Sequence, residues 1–406
     1  MEKNKSLERI KLPLHKAVDL VLSNAELRLK GLEYNLFYII DKPGAGKTRT
    51  IERSVNERGW GFLSYSPALE RVEKFGGIPD IFWADGESQM HVAEKKELRT
   101  VWSIPQMITE INDCAKKYPI VIVLLDDWHL CDEDIQRIGF ELFTYYKLNN
   151  NPISKNVVFV LAGNETSAAG ARIQLSAIRN RSTIIYTCSD VQNWIDNFAI
   201  PNCILPIGIS FFRSKIYEYL FQEEESAHEQ FGSPRSWTSA FNLISELERN
   251  EQLKNDPYYR DFVFCIIQGS VSREATEKFM LHYDIYSKLN IEEILNTGVI
   301  KLPKDTIELY CYITGLTYFF FEHYYTETLE DKEKNRIMKI YGTFIEELVK
   351  VNNEMTVTSL VTLANLSKGK EKNGMLVLQQ LIKSSYISIE LSKKLMTTTS
   401  ILSTVK

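Results

Sequence analysis

The sequence predicts an α/β fold with a parallel sheet, and three observations support this. Short apolar runs alternate with helical segments, a glycine-rich turn directly follows the first run, and the strand pattern stops near residue 205. Strands that alternate with helices form parallel sheets covered on both faces, and ligands bind where such strands end. The five predicted strands are 36–40, 61–65, 120–125, 157–162 and 183–188.

Helical periodicity dominates the two ends of the chain. Apolar residues recur at helical spacing within residues 8–34, which predicts an amphipathic helix before the first strand. Polar stretches at 250–257 and 367–374 are the predicted linkers of the second half. The predicted helices there are 209–222, 234–248, 258–268, 271–288, 305–325, 331–351 and 374–396.

The composition restricts the class of protein. The 406 residues are 44% hydrophobic and 25% charged, which is typical of a globular chain with two or three domains. A formal net charge of -5 argues against a protein that coats nucleic acid or anionic membrane through its overall charge. The dispersed cysteines and histidines have neither disulfide nor metal-ligand spacing, and no apolar stretch has the length of a membrane span. We expect a cytoplasmic protein that makes no contact with a membrane.

The turn after the first strand has the sequence of a phosphate-binding loop. Residues 42–48 read Lys-Pro-Gly-Ala-Gly-Lys-Thr and lead into a predicted helix that starts at Arg49. Glycines at positions 44 and 46 would let backbone N–H groups approach phosphate oxygens, which the N-terminus of the helix also attracts. The simpler interpretation is a glycine-rich turn before an ordinary helix. Because strand, glycines, Lys-Thr and helix occur in the required order, we favour a P-loop.

Two side chains of this loop have predicted roles in binding a nucleotide. Lys47 would bridge the β- and γ-phosphates, and the Thr48 hydroxyl would be a ligand of Mg²⁺. Asp41 occupies a position where the strict motif has glycine. A carboxylate beside polyphosphate is unfavourable unless it points away. The loop therefore departs from the strict motif at one position.

Polar side chains also follow two other strands. Asp126 and Asp127 come directly after 120–125, and Asn164 follows 157–162. Asp126 would hold Mg²⁺ through its water shell, while Asp127 would orient the attacking water. Asn164 can both donate and accept a hydrogen bond, which suits contact with the γ-phosphate and with that water. Acid pairs and asparagines are also common in ordinary turns.

Three arginines are candidates for contacts with the nucleotide. Arg179 and Arg181 precede the fifth strand, and Arg235 lies in the first turn of a helix with Ser233 as its predicted N-cap and Pro234 after it. Guanidinium groups neutralise charge on a transferring phosphoryl group, including one held by a neighbouring subunit. Exposed arginines are more often only solvated.

Together these motifs resemble those of AAA+ ATPases. Within that superfamily the chain looks like the MoxR-like ATPases, especially the compact forms encoded by bacteriophages, which implies the cytoplasm of a bacterium or of a phage-infected host. The resemblance spans roughly residues 34–300. The motifs that carry it are 43–48, 125–127, 162–164, 180–181 and 233–237, with further support from 75–79, 126–136 and 269–279.

The resemblance implies an AAA+ P-loop fold with a five-stranded parallel sheet, a helical lid and a helical C-terminal region. It divides the chain into an N-terminal helical lead-in (1–33), an α/β core (34–204), a lid (205–290) and a C-terminal extension (291–406). It implies ATP and Mg²⁺ as cofactors, with Thr48 and Asp126 on the metal. The implied nucleotide-binding residues are Lys42, Pro43, Gly44, Ala45, Gly46, Lys47, Thr48, Arg49 and Arg235. The implied catalytic residues are Lys47, Asp126, Asp127 (commonly glutamate), Asn164 and an arginine finger, Arg181 or else Arg179.

The resemblance further implies an ATP-hydrolysing motor that forms a ring, expected to be a hexamer, and remodels a protein. The loop 75–97 would line the pore, with Phe82 and Trp83 as gripping residues unless these aromatics are simply packed. Two alternatives remain. Asp41 and Asp127 suit a nucleotide-gated scaffold with very slow hydrolysis, and a nucleic-acid motor or loader is disfavoured by the acidic charge balance.

Overall fold

The computed structural model describes residues 10–32, 35–83, 98–164, 174–188, 190–214, 217–222, 230–289, 293–294, 297–325, 330–368 and 372–393. The chain forms two compact units, Met1–Ser189 and Asp190–Lys406. The second unit therefore begins at Asp190, whereas the sequence places the end of the core at residue 204.

A parallel sheet lies at the centre of the first unit. Six strands form it, in the order β1-β10-β2-β9-β6-β3, and all neighbours are parallel. The five predicted strands and the predicted fold class are confirmed. The sixth strand, β1, was too short to show a period in sequence. The strands described in this unit are β1 (Leu12–Pro13), β2 (Leu36–Asp41), β3 (Gly61–Tyr65), β4 (Pro79–Trp83), β5 (Leu98–Trp102), β6 (Val121–Leu125), β7 (Lys147–Leu148), β8 (Asn151–Pro152), β9 (Val157–Asn164) and β10 (Ser182–Cys188).

Helices cover both faces of the sheet, which explains why its central strands are continuously apolar. In β2, Phe37 and Ile39 pack towards one layer and Tyr38 packs towards the other. The first two helices cover one face and the next four cover the other, so the lead-in helix is part of a layer of this unit. The helices are α1 (Leu14–Leu29), α2 (Lys47–Glu57), α3 (Val72–Gly76), α4 (Gln106–Ala115), α5 (Glu133–Tyr145) and α6 (Ser176–Arg179).

Two antiparallel strand pairs, β4 with β5 and β7 with β8, add to the predicted alternation of strands and helices. The loop predicted at 75–97 begins instead at the end of α3 and continues into β4, which contains Phe82 and Trp83. Residues 84–97, the rest of that loop, lie outside the described residues.

The second unit is helical, as predicted. A pair of two-residue strands, β11 (Ser367–Lys368) and β12 (Lys372–Asn373), occupies the predicted linker at 367–374. In the part of the chain that the structure describes, no helix is long and apolar enough to cross a bilayer. The helices are α7 (Val191–Trp194), α8 (Pro206–Arg213), α9 (Pro234–Arg249), α10 (Glu251–Lys254), α11 (Tyr259–Gln268), α12 (Arg273–Tyr286), α13 (Thr306–Tyr324), α14 (Asp331–Val351), α15 (Asn353–Asn365) and α16 (Gly374–Lys383).

Some helix boundaries differ from the prediction. The helix predicted at 209–222 starts earlier, because Pro206 occupies the first helical position, and it ends at Arg213. The helix predicted to continue to residue 396 ends at Lys383, because the backbone of Ser384 is extended.

The sequence does not predict helix α15, because the buried face of this helix carries hydroxyl side chains. Thr356 donates to the carbonyl of Asn352 at 2.9 Å, and Thr362 donates to that of Thr358 at 2.6 Å. These bonds to the preceding turn satisfy the hydroxyls inside the core. A helix with buried threonines lacks the clear apolar stripe on which the prediction depends.

The aromatic core of the second unit leads to a stability prediction. Trp237 is fully buried, its ring lies 5.4 Å from that of Phe241, and its Nε1 donates to the carbonyl of Tyr219 at 2.7 Å. We expect Trp237→Ala to lower the free energy of unfolding by about 3–5 kcal/mol, because it opens a cavity and leaves a buried carbonyl without its donor. Urea denaturation measures this, with Tyr258→Ala, at a position 65% exposed, as the control. A loss below about 1 kcal/mol would contradict the described packing.

Candidate active site

The loop after β2 has the geometry of a phosphate cradle. The strand ends at Asp41, and α2 begins at Lys47 with Gly46 as its N-cap. Gly44 and Gly46 have φ values of 71° and 87°, a left-handed region that favours glycine. The first turn of α2 contains no acidic residue. Its backbone N–H groups and the positive end of the helix dipole therefore suit an anion.

Lys47 meets Asn164 at this edge of the sheet. The Lys47 ammonium is buried, and it donates to Asn164 Oδ1 at 2.9 Å and to the carbonyl of Lys42 at 3.1 Å. Asn164 ends β9, which pairs in parallel with β2, so both strands deliver their carboxyl ends to the same place. The P-loop lysine and the asparagine that ends β9 therefore lie together at this edge of the sheet, and their contacts with a phosphate remain predictions.

The two predicted metal ligands are also in contact. The Thr48 hydroxyl donates to Asp126 Oδ2 at 2.5 Å. Asp126 follows β6, the neighbour of β9 in the sheet. A hydroxyl and a carboxylate oxygen, placed beside a phosphate cradle, are ligands of the kind that Mg²⁺ prefers. The donor set therefore fits a Mg²⁺-nucleotide.

Asp127 has an unusual backbone conformation. Its φ of 53° and ψ of 29° are left-handed, and its N–H donates to Asp126 Oδ1 at 2.9 Å. Aspartate and asparagine tolerate this conformation better than longer side chains do. The backbone thus gives a physical reason for aspartate at a position where the resemblance leads one to expect glutamate.

His129 is a residue of this site that the sequence did not indicate. Its Nδ1 accepts a hydrogen bond from the backbone N–H of Asn164 at 3.3 Å, and the residue is 6% exposed. Burial lowers the pKa of the imidazole, the Asp127 carboxylate opposes this shift, and the Lys47 ammonium adds to it. A single histidine without metal spacing carries no sequence signal, except that it follows the acid pair by two residues.

Asp41 is turned towards the neighbouring strand. Its Oδ2 accepts from the Thr187 hydroxyl on β10 at 2.6 Å, and its Oδ1 accepts from the backbone N–H of Lys42 at 2.7 Å. The departure from the strict motif is therefore a buried, hydrogen-bonded side chain.

The candidate arginine fingers lie at the amino-terminal ends of the strands, opposite the P-loop. Arg181 immediately precedes β10, whose first residue is the register partner of Leu36 at the start of β2. The length of β2, roughly 15–20 Å, therefore separates Arg181 from the P-loop of the same chain. Its guanidinium lies 5.0 Å above the ring of Phe140. Arg179 and Arg181 are both exposed, and neither is brought to the Lys47 site.

The remaining predicted residues are placed by their helices. Pro43 and Ala45 belong to the turn, and Arg49 is exposed in the first turn of α2. Arg235 is exposed in the first turn of α9, in the second unit, and its contact with the nucleotide remains a prediction. The predicted N-cap, Ser233, is confirmed by a capping box.

Comparison with known proteins gives only distant similarity. No protein-family model and no curated protein matches this sequence. Among solved structures, the chain is similar to the RuvB Holliday junction branch migration motor of Thermotoga maritima, with 12% identity over 71% of this chain and 81% of that chain and a TM-score of 0.35. A point mutant of Thermotoga maritima RuvB matches with 10% identity over 94% of this chain and 95% of that chain, again with a TM-score of 0.35. The α/β P-loop fold is assigned from the sheet order and the loop geometry described above.

Proposed function

We propose that the protein is an AAA+ ATPase that binds ATP with Mg²⁺ at the P-loop and hydrolyses it to ADP and phosphate. The observation that carries the proposal is the convergence of four polar side chains at one edge of the sheet. Lys47 contacts Asn164 at 2.9 Å, and Thr48 contacts Asp126 at 2.5 Å. These pairs are separated by 117 and 78 residues in sequence, so the fold itself brings them together.

Each of these side chains would have a distinct role in hydrolysis. Lys47 and the loop N–H groups would hold the phosphates, and Thr48 and Asp126 would hold Mg²⁺, which neutralises charge that develops on the phosphoryl oxygens. Asp127 would accept a proton from the attacking water, and the Asn164 amide would orient that water. Arg235, which the resemblance assigns to nucleotide binding, would contact the phosphates.

Phosphate release from ATP by the wild-type protein tests this function. We expect turnover with Mg²⁺ and a loss of that turnover of at least about 100-fold when the metal is chelated with EDTA.

Tight ATP binding with turnover at background would instead favour a nucleotide-gated scaffold. The short carboxylate of Asp127 is the observation that favours that second candidate, because a displacement of about 1 Å can slow chemistry about 100-fold. Absence of both binding and turnover would refute the proposal.

We also propose that the active form is a ring, in which Arg181 acts on the nucleotide of a neighbouring subunit. Its place at the far edge of the sheet, before β10, supports this, because its own P-loop is out of reach. Packing on Phe140 would position the guanidinium at that edge. Light scattering with and without ATP and Mg²⁺ measures the assembly, and a mass that stays monomeric in all conditions would contradict it.

Mixing two inactive variants tests action across subunits. Arg181→Ala keeps the P-loop, and Lys47→Ala keeps the finger, so we expect each alone to be inactive. An equal mixture should recover about a quarter of the wild-type rate, since that share of interfaces pairs an intact loop with an intact finger. Arg137→Ala, which removes an exposed arginine of α5, is the control and should keep full activity. A mixture with no recovered activity would contradict the trans arrangement.

A protein is the proposed substrate, as in the MoxR-like ATPases, and the cytoplasm is the proposed location. The net charge of -5 supports a protein over nucleic acid. Stimulation of turnover by an unfolded model protein, but not by single- or double-stranded oligonucleotides, is the expected result. Oligonucleotide binding that weakens steeply with salt would favour a nucleic-acid motor instead.

A further inference from the structure

Asp41 occupies the position where the strict P-loop motif has glycine, and its side chain makes hydrogen bonds that glycine could not make. The residue is 2% exposed, and both carboxylate oxygens accept hydrogen bonds. The donors are the Thr187 hydroxyl at 2.6 Å and the backbone N–H of Lys42 at 2.7 Å. Thr187 is itself 1% exposed. Hydrogen bonds to a carboxylate are about twice as strong as those between neutral groups. The two bonds to Asp41 are therefore strong enough to fix the position of its side chain.

The position of Asp41 links three parts of the site. Its register partner on β9 is Asn164, and Thr187 on β10 follows Tyr186, the last register partner of β2 on that strand. Its backbone carbonyl accepts from Lys47 Nζ at 3.4 Å. The side chain of Asp41 therefore binds one neighbouring strand, while its backbone contacts the P-loop lysine and pairs with the other strand.

We infer that Asp41 and Thr187 form a clamp that positions the P-loop for nucleotide binding, an inference that rests on the proposed function. Glycine at position 41 would make neither side-chain bond and would leave the strand end with more conformational freedom. The clamp orders the strand end before the phosphates arrive, which reduces the entropy lost on binding. Its carboxylate oxygens are held by Thr187 and Lys42, so Asp41 is a positioning residue. Its contribution is to affinity rather than to the chemical step.

The Thr187 hydroxyl offers the cleanest test, because valine replaces it with a methyl group of similar size. We expect Thr187→Val to weaken the affinity for a fluorescent ATP analogue roughly three- to tenfold and to raise KM by the same factor, with kcat within about twofold of wild type. Thr187→Ser keeps the hydroxyl and should restore the affinity. Thr183→Val changes an exposed threonine of the same strand and is the matched control. If the Thr187 hydroxyl acted only in folding, Thr187→Val would lower the melting temperature but would not raise KM while leaving kcat unchanged.

The outcomes separate this inference from the function on which it rests. Equal affinities for Thr187→Val and wild type would overturn the clamp, and so would equal weakening in Thr187→Val and Thr187→Ser, because the hydroxyl would not then be the cause. If Thr187→Val does not fold, Thr187→Ala makes the same comparison and should weaken binding to the same extent. A wild-type protein that binds no ATP would refute the proposed function, and the clamp with it.

Discussion

Replacing Lys47 with alanine is expected to lower the rate of ATP hydrolysis by about 10²–10³-fold. The ammonium is buried, donates to Asn164 at 2.9 Å, and is positioned to neutralise charge on the terminal phosphate. Its loss removes a positive charge where burial makes electrostatic interactions strong. Phosphate release and affinity for an ATP analogue are the measurements.

Two further variants make the Lys47 result interpretable. Lys47→Arg keeps the charge but replaces a compact ammonium with a larger planar group, so we expect it to be inactive as well. Lys116→Ala removes an exposed lysine of the first unit, paired with Asp113 at 2.7 Å, and should leave the rate unchanged. If Lys47→Ala has the melting temperature of the wild type and also hydrolyses ATP at the wild-type rate, Lys47 has no catalytic role.

Replacing Asp127 with asparagine is expected to lower kcat by about 10²–10⁴-fold while leaving ATP affinity within about threefold. Asparagine tolerates the left-handed conformation of this position, at φ 53°, so the backbone should not move. The change therefore removes only the group that would accept a proton from water. Asp134→Asn alters an exposed acid of α5 and serves as the control.

Other outcomes for Asp127 have definite meanings. An unchanged kcat in Asp127→Asn would indicate that another group accepts the proton from the attacking water. A parallel loss of affinity and kcat would indicate that Asp127 binds the nucleotide rather than acting in the chemical step. If wild type and Asp127→Asn both bind ATP tightly and turn over at background, the protein is a nucleotide-gated scaffold.

The sequence predicted the sheet and the centre of the site because both follow general rules. The residues of β2 are all buried, so its apolar run was continuous and easy to recognise. Parallel strands end at the same edge, so the strand pattern by itself predicts that Lys47, Asp126 and Asn164 lie together. Glycines 44 and 46 were recognisable because their φ values exclude most other residues.

Contacts between side chains of neighbouring strands could not be predicted in the same way. The bond between Asp41 and Thr187 joins residues 146 apart in sequence, and it depends on the order and register of two strands. His129 reaches the N–H of Asn164 only because a short turn after β6 directs it there. Neither the strand order nor that turn has a periodic signal in the sequence.

A crystal structure with a non-hydrolysable ATP analogue and Mg²⁺ tests the central claim most directly. We predict that the terminal phosphate lies within hydrogen-bond distance of Lys47 Nζ and of the Asn164 amide, with the metal between Thr48 and Asp126. Nucleotide bound elsewhere, or bound here with Asn164 and Asp126 turned away from the phosphates, would contradict the account.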